Sequence, residues 1–96
     1  MQTTHTVTIH LPGILRDYCG GRARLALEAG DVRALLGVIE RDLPSLYRNL
    51  CDETGAVRRH LNVFVNSDNT RDLAHGVDTP LAAGDVVTFL PAVSGG

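Results

Sequence analysis

From Thr6 to Leu11 the chain reads TVTIHL, with apolar Val7, Ile9 and Leu11 alternating with polar Thr6, Thr8 and His10. A period of two is that of a half-buried strand, because successive side chains of an extended backbone point to opposite faces. Pro12 and Gly13 end it. The same rhythm returns in RARLAL through Ala23, Leu25 and Leu27, so a second strand is expected to pair with the first as a hairpin. Between them, Gly20-Gly21 supplies the positive-φ residues that a turn requires.

The period then changes. In GDVRALLGVIERDLP the apolar positions Val32, Leu35, Leu36, Ile39 and Leu43 fall on one face of a helix, with Arg33, Glu40 and Arg41 largely elsewhere. Asp31 is suited to cap the start, since its carboxylate can accept from the free amides of the first turn, and Pro44 is expected to stop the helix behind Leu43. Gly37 costs about 1 kcal/mol relative to alanine inside a helix. Close approach to a sheet is its expected compensation.

In SLYRNLCDETGAVRR, Leu46 and Leu50 suggest a short turn of helix, and DETG a loop tip. Alternation resumes in LNVFVN, with Leu61, Val63 and Val65 on one face and Phe64 on the other. NSDNTRDL is polar and turn-rich. The last apolar stretch, DVVTFLPAV, puts Val87 and Phe89 on one face and Val86, Thr88 and Leu90 on the other. The tripeptide Ala-Gly-Asp occurs at Ala29-Gly30-Asp31 and again at Ala83-Gly84-Asp85, each time as a turn launching the next element. Two strands, a helix, a strand, a turn-rich segment and a strand make an α+β, two-layer fold. One main helix crossing a mixed sheet, with the first and last strands side by side at its centre, is the β-grasp, or ubiquitin-like, architecture. Residues 1–90 are the expected domain and 91–96 its C-terminal tail.

Composition narrows the function. With 96 residues, 44% of them apolar and only four aromatic, the chain can bury a core of its own built from Leu, Val, Ile and Ala. The formal net charge is −2, and Arg22/Arg24 and Arg58/Arg59 are short interrupted pairs, so no footprint for nucleic acid exists. A protein partner is expected instead. All nine basic residues are arginine, so the chain offers no lysine for self-conjugation through an isopeptide. MQTTHT has the character of neither a signal peptide nor an anchor, and the expected compartment is the cytoplasm. Cys19 and Cys51 are far apart and lack the spacing of a disulfide framework, a zinc site or an iron–sulfur cluster; they are expected to be free, small, half-buried residues, with a persulfide on Cys19 as the lesser alternative. His5, His10, His60 and His75 show no metal-ligand spacing and are expected to be solvated polar residues. No residue is assigned as catalytic.

The end of the chain, LPAVSGG, carries the candidate chemistry. Pro91 has no ladder donor and marks the exit from the sheet, beyond which a narrow thread is expected. Gly95 and Gly96 have no side chains, so an enzyme tunnel can close around them and a nucleophile can reach the Gly96 carbonyl. A free carboxylate is a poor acyl donor. It must first be activated, as a mixed anhydride with AMP, before sulfide or a persulfide can displace the nucleotide and leave a thiocarboxylate. The chain has neither GxxxxGK[ST] nor a helix-opening GxGxxG, so activation must come from another protein.

LPAVSGG, the preceding GDVVTF, the Asp31-capped helix and LNVFVN together resemble the MoaD/ThiS family of ubiquitin-like sulfur carriers over nearly the whole chain. The likeness is greatest to the longer branch that serves cysteine biosynthesis: Pro12, Ile14, Leu15, Arg16, Gly20, Gly21 and the insertion-like stretch Asn49 to His60 fit it. That resemblance implies that Gly96 is adenylated by an ATP-dependent, E1-like activating enzyme (a sulfurtransferase) and converted to the thiocarboxylate, with Gly95, Ser94 and Val93 threading the partner's active site. It further implies attack on an aminoacrylate held on pyridoxal phosphate in a cysteine synthase, an acyl shift, and release of cysteine by a metallopeptidase. ATP, zinc and pyridoxal phosphate would belong to those partners. Phe64 and Leu90, with Val93, are expected to form an apolar docking surface to which Arg16 adds a charged contact, although core packing is the commoner role of a strand phenylalanine. The alternatives are a molybdopterin synthase small subunit, a sulfur donor for another metabolite, and a ubiquitin-like binding module without acyl chemistry.

Overall fold

The computed structural model describes residues 4–91. A five-stranded mixed sheet is built from β1 (His5–His10), β2 (Arg24–Ala29), β3 (Leu61–Val65), β4 (Asp68–Asn69) and β5 (Val86–Pro91), in the order β2-β1-β5-β3-β4. β1 and β2 form the expected antiparallel hairpin, and β1 runs parallel to β5 with Ile9 opposite Val87. First and last strands are thus neighbours, with β5 in the middle position. β5 pairs antiparallel with β3, setting Val63 against Phe89 and Phe64 against Thr88.

One face of the sheet carries the core. Val7, Ile9, Leu25, Leu61, Val63, Val65, Val87 and Phe89 are buried there, in one cluster with Val32, Leu35, Leu36 and Ile39 of α2 (Val32–Asp42). The alternation that predicts the strands is therefore the alternation between this layer and the open face. Asp31 caps α2 as expected, accepting from the Ala34 amide at 2.7 Å.

Pro44 does more than stop α2. It occupies the first turn of a second helix, α3 (Pro44–Leu50), where its missing N–H costs nothing because that amide has no helical acceptor. Leu43 is at once the end of α2 and the start of α3, and Leu46 and Leu50 are fully buried. The loop tip that follows is tightly bonded: Asp52 accepts from the Thr54 and Ala56 amides and Gly55 takes φ +85°.

Three expectations need correction. Gly37 is exposed, and a Cβ built on it would meet nothing within 4 Å, so it does not serve close approach to the sheet. Cys19 and Cys51 are buried rather than half-buried. Strand boundaries also shift: β1 begins at His5, and β2 runs to Ala29, which leaves Ala23 outside it.

Candidate functional site

Parallel strands end on the same side. β5 delivers Pro91 to the end of the sheet where β1 delivers Leu11 and the excursion through α1 (Gly13–Arg16). Val93, Ser94, Gly95 and Gly96 lie outside the described residues, so the structure characterises the root of the tail and its surroundings.

The open face of the sheet borders that root. Because side chains alternate, Asn62 and Phe64 of β3 share this face with Val86, Thr88 and Leu90 of β5. Phe64 lies directly across from Thr88 and is half-buried, while Leu90 lies across from Asn62 and is 42% exposed. Phe64 and Leu90 are therefore diagonal neighbours on one strand pair, within reach of long side chains. Phe89, by contrast, is wholly buried in the core. The two phenylalanines divide the roles that the sequence leaves open.

Arg16 closes α1, is exposed, and its Nε donates to the Leu11 carbonyl at 3.2 Å. That bond ties the guanidinium to the residue just past β1, at the tail's end of the sheet. Left-handed Gly20 and Gly21 turn the excursion back, with Gly21 donating to the Arg16 carbonyl at 2.7 Å. Cys19 braces the same turn, its Sγ 3.3 Å from the carbonyl oxygens of Arg16 and Arg22. A thiol so occupied is a fastener of the loop.

Sequence reasoning missed two members of this end. Ile14 is 66% exposed and Tyr18 is 41% exposed, and both belong to the excursion beside the tail root. Ile14 carried a signal: in a single helical turn only one of Ile14 and Leu15 can face inward, and Leu15 is the buried one. His10, expected to be a solvated polar residue, is not fully so. It is half-buried on the open face, between Arg24 and Thr88 in register.

The helical layer holds two open grooves of about 490 and 460 Å³, which share Glu40 and Tyr47. Cys51 lines the second, and burial, reinforced by the Asp52 charge, pushes its thiol up to about 11. It is protonated and unreactive near neutrality. Tyr47 is raised too, chiefly by burial. Arg33 and Asp78 form an exposed ion pair at 2.7 Å on the rim; Arg33 holds the Asp78 carboxyl below its ordinary range. Among the described residues no group of three or more His, Cys, Asp or Glu side chains is placed to hold a metal ion, and no helix is long and apolar enough to cross a membrane.

Comparison with known proteins finds relatives over nearly the whole chain. A profile described as the ThiS family matches residues 9–96. The sulfur carrier protein CysO of Mycobacterium tuberculosis is 34% identical over 92 residues, spanning 94% of this chain and 98% of the relative. Its crystal structure superposes with a TM-score of 0.81 at 32% identity, covering 91% and 99% of the two chains. CysO from the Amycolatopsis orientalis BexX/CysO complex gives a TM-score of 0.81 at 31% identity, covering 94% and 99%. The small archaeal modifier protein 1 of Methanosarcina acetivorans gives 0.84 at 26% identity, covering 98% and 99%.

Proposed function

Because this chain belongs to the ThiS family, we propose that it is a sulfur carrier whose Gly96 carboxylate is adenylated and converted to a thiocarboxylate, and that the sulfur serves cysteine biosynthesis. It acts as a co-substrate of partner enzymes and is not itself a catalyst. The observation that carries this reading is the 34% identity to CysO across nearly the whole of both chains, together with a family match that continues through Gly96.

The chemistry divides cleanly between chain and partners. The Gly96 carboxylate attacks the α-phosphorus of ATP and releases pyrophosphate; sulfide then attacks the acyl carbon and AMP departs, leaving the thiocarboxylate. An enzyme persulfide in that role instead gives an acyl disulfide that a thiol of the partner cleaves, freeing the thiocarboxylate and forming a disulfide on the partner. Gly95 offers that nucleophile a path without a Cβ in the way, and Ser94 and Val93 extend the thread to the body of the protein. In the cysteine pathway the carrier meets three partners: an E1-like activating enzyme using ATP, a pyridoxal-phosphate-dependent cysteine synthase, and a metallopeptidase that frees cysteine from Gly96. Recognition of the folded body falls to Phe64, Leu90 and Arg16 around the tail root. A half-buried ring beside an exposed leucine gives an apolar anchor, and the guanidinium gives a charge-assisted contact at its edge.

The test is an intact-mass measurement after incubation with ATP, sulfide and an E1-like activating enzyme. The expected product has one oxygen of the C-terminal fragment replaced by sulfur, and Gly96→Val abolishes it. An unchanged mass with activating enzymes that load CysO would overturn the assignment. Transfer to a cysteine synthase, read as cysteine attached to Gly96, tests the pathway separately.

A further inference from the structure

β2 is the outer strand of the sheet, and its free edge is self-complementary. The hydrogen bond from the Leu11 amide to the Ala23 carbonyl, 2.9 Å, sets the phase of the β1–β2 ladder: Leu25, Leu27 and Ala29 turn their backbone groups toward β1. Arg24, Ala26 and Glu28 consequently turn theirs outward, and among the described residues those amides and carbonyls have no protein partner. Their side chains are exposed on the open face. A six-residue edge with free backbone groups is a template for a further strand.

The side chains specify which strand fits. Around Ala26 the sequence RLALE has Leu25 and Leu27 at equal distance on either side, then Arg24 and Glu28. In an antiparallel pairing of two copies about Ala26, Arg24 of each faces Glu28 of the other, twice, and Leu25 of each faces Leu27 of the other on the helix-covered face. The small Ala26 sits on the axis. Every outward N–H and C=O of Arg24, Ala26 and Glu28 then finds its counterpart, and the exposed part of half-buried Leu27 is covered. A parallel pairing in register would set Arg24 against Arg24 and Glu28 against Glu28.

We propose that this edge joins two copies of the chain, β2 to β2, into one continuous sheet. The inference is independent of the sulfur chemistry. The two-fold axis is normal to the sheet, so both open faces look the same way. Within one copy β1 separates β2 from β5, so the two central strands are five strand spacings apart, about 24 Å, and antiparallel. Their tail roots leave at opposite ends, and each copy keeps its Phe64 and Leu90 surface clear of the joint.

Sedimentation velocity on the full chain over a concentration series, extended to about 1 mM, tests the proposal at low salt. The weight-average mass is expected to rise from that of the monomer toward twice that value. Arg24→Glu and Glu28→Arg each set like charges opposite one another at both symmetry-related positions and are expected to weaken self-association about tenfold or more. An equimolar mixture of the two variants is expected to restore it as a heterodimer, as is the double variant Arg24→Glu/Glu28→Arg. Both side chains are exposed and circular dichroism reports that each variant is folded; should either single variant unfold, Ala26→Pro, which removes only an outward amide, is expected to give a monomer. A monomer throughout the series, or a dimer indifferent to the charge reversals and to Ala26→Pro, would overturn the proposal.

Discussion

Gly37 and Cys51 show what single positions in this chain do and do not reveal. A glycine in the middle of an apolar helical pattern reads as a site of tight packing, yet Gly37 faces open space and its backbone is ordinary helix. Nothing in one sequence distinguishes a glycine required by a neighbour from one that is merely tolerated. Gly37→Ala is therefore expected to stabilise the protein by up to about 1 kcal/mol, since alanine loses less backbone entropy on folding; urea unfolding with an unchanged m-value checks it. Cys51 makes the complementary point, because it follows directly on α3, an element the sequence only hints at. Its thiol is raised from an ordinary value near 9 to about 11 in the folded chain, with burial as the main cause. A raised folded pKa means that the contribution is complete below pH 9 and is lost as pH climbs toward 11. Stability is expected to decline across that window, and Cys51→Ala to make the decline shallower, leaving Tyr47, raised in the same direction, to supply the rest. Thermal melts at a series of alkaline pH values measure both slopes.

Elements were legible in proportion to the length of their pattern. α2 declared itself through five apolar positions, a cap and a proline, and β1, β3 and β5 through strict alternation, because each buries one face against the same core. α3 was obscured by Pro44, which sequence alone reads as a stop although the first turn of a helix accepts it readily. β4, two residues long, carries too few positions to show a period and exists through its register with Phe64 and Val65. The β3–β5 pair bears the sharpest contrast, since adjacent strands present Phe89 to the core and Phe64 to the open face. Phe89→Ala is expected to cost about 3–5 kcal/mol, the range for emptying a fully buried aromatic site. Phe64→Ala, which removes a half-buried ring, is expected to cost less than about half as much. Guanidinium denaturation of the two variants side by side makes the comparison.

For the whole molecule, the decisive feature is that the chain's last strand is not its edge. Pairing β5 between β1 and β3 roots the tail in the most supported strand of the sheet and brings the β1 excursion, with Ile14, Arg16 and Tyr18, to the same end. The chemistry proposed for Gly96 rests on its residue type and on the family resemblance; the exposure of Ile14 follows only from its neighbour Leu15 taking the inward position, and that of Tyr18 has no signal, because an apolar residue in a turn-rich excursion has no period. If the body is recognised through this end while the reaction occurs at the tail, docking and chemistry separate in their kinetics. Phe64→Ala/Leu90→Ala is then expected to raise KM for the carrier in the activating reaction about 10-fold or more, the effect of losing about 1.4 kcal/mol or more of binding, with kcat little changed. Gly95→Val, which crowds the thread beside the acyl carbon, is expected to lower kcat while leaving competition for the activating enzyme intact. A double variant that retains its fold by circular dichroism and an unaltered KM would remove Phe64 and Leu90 from the recognition surface, and would leave Ile14, Tyr18 and Arg16 as its remaining members.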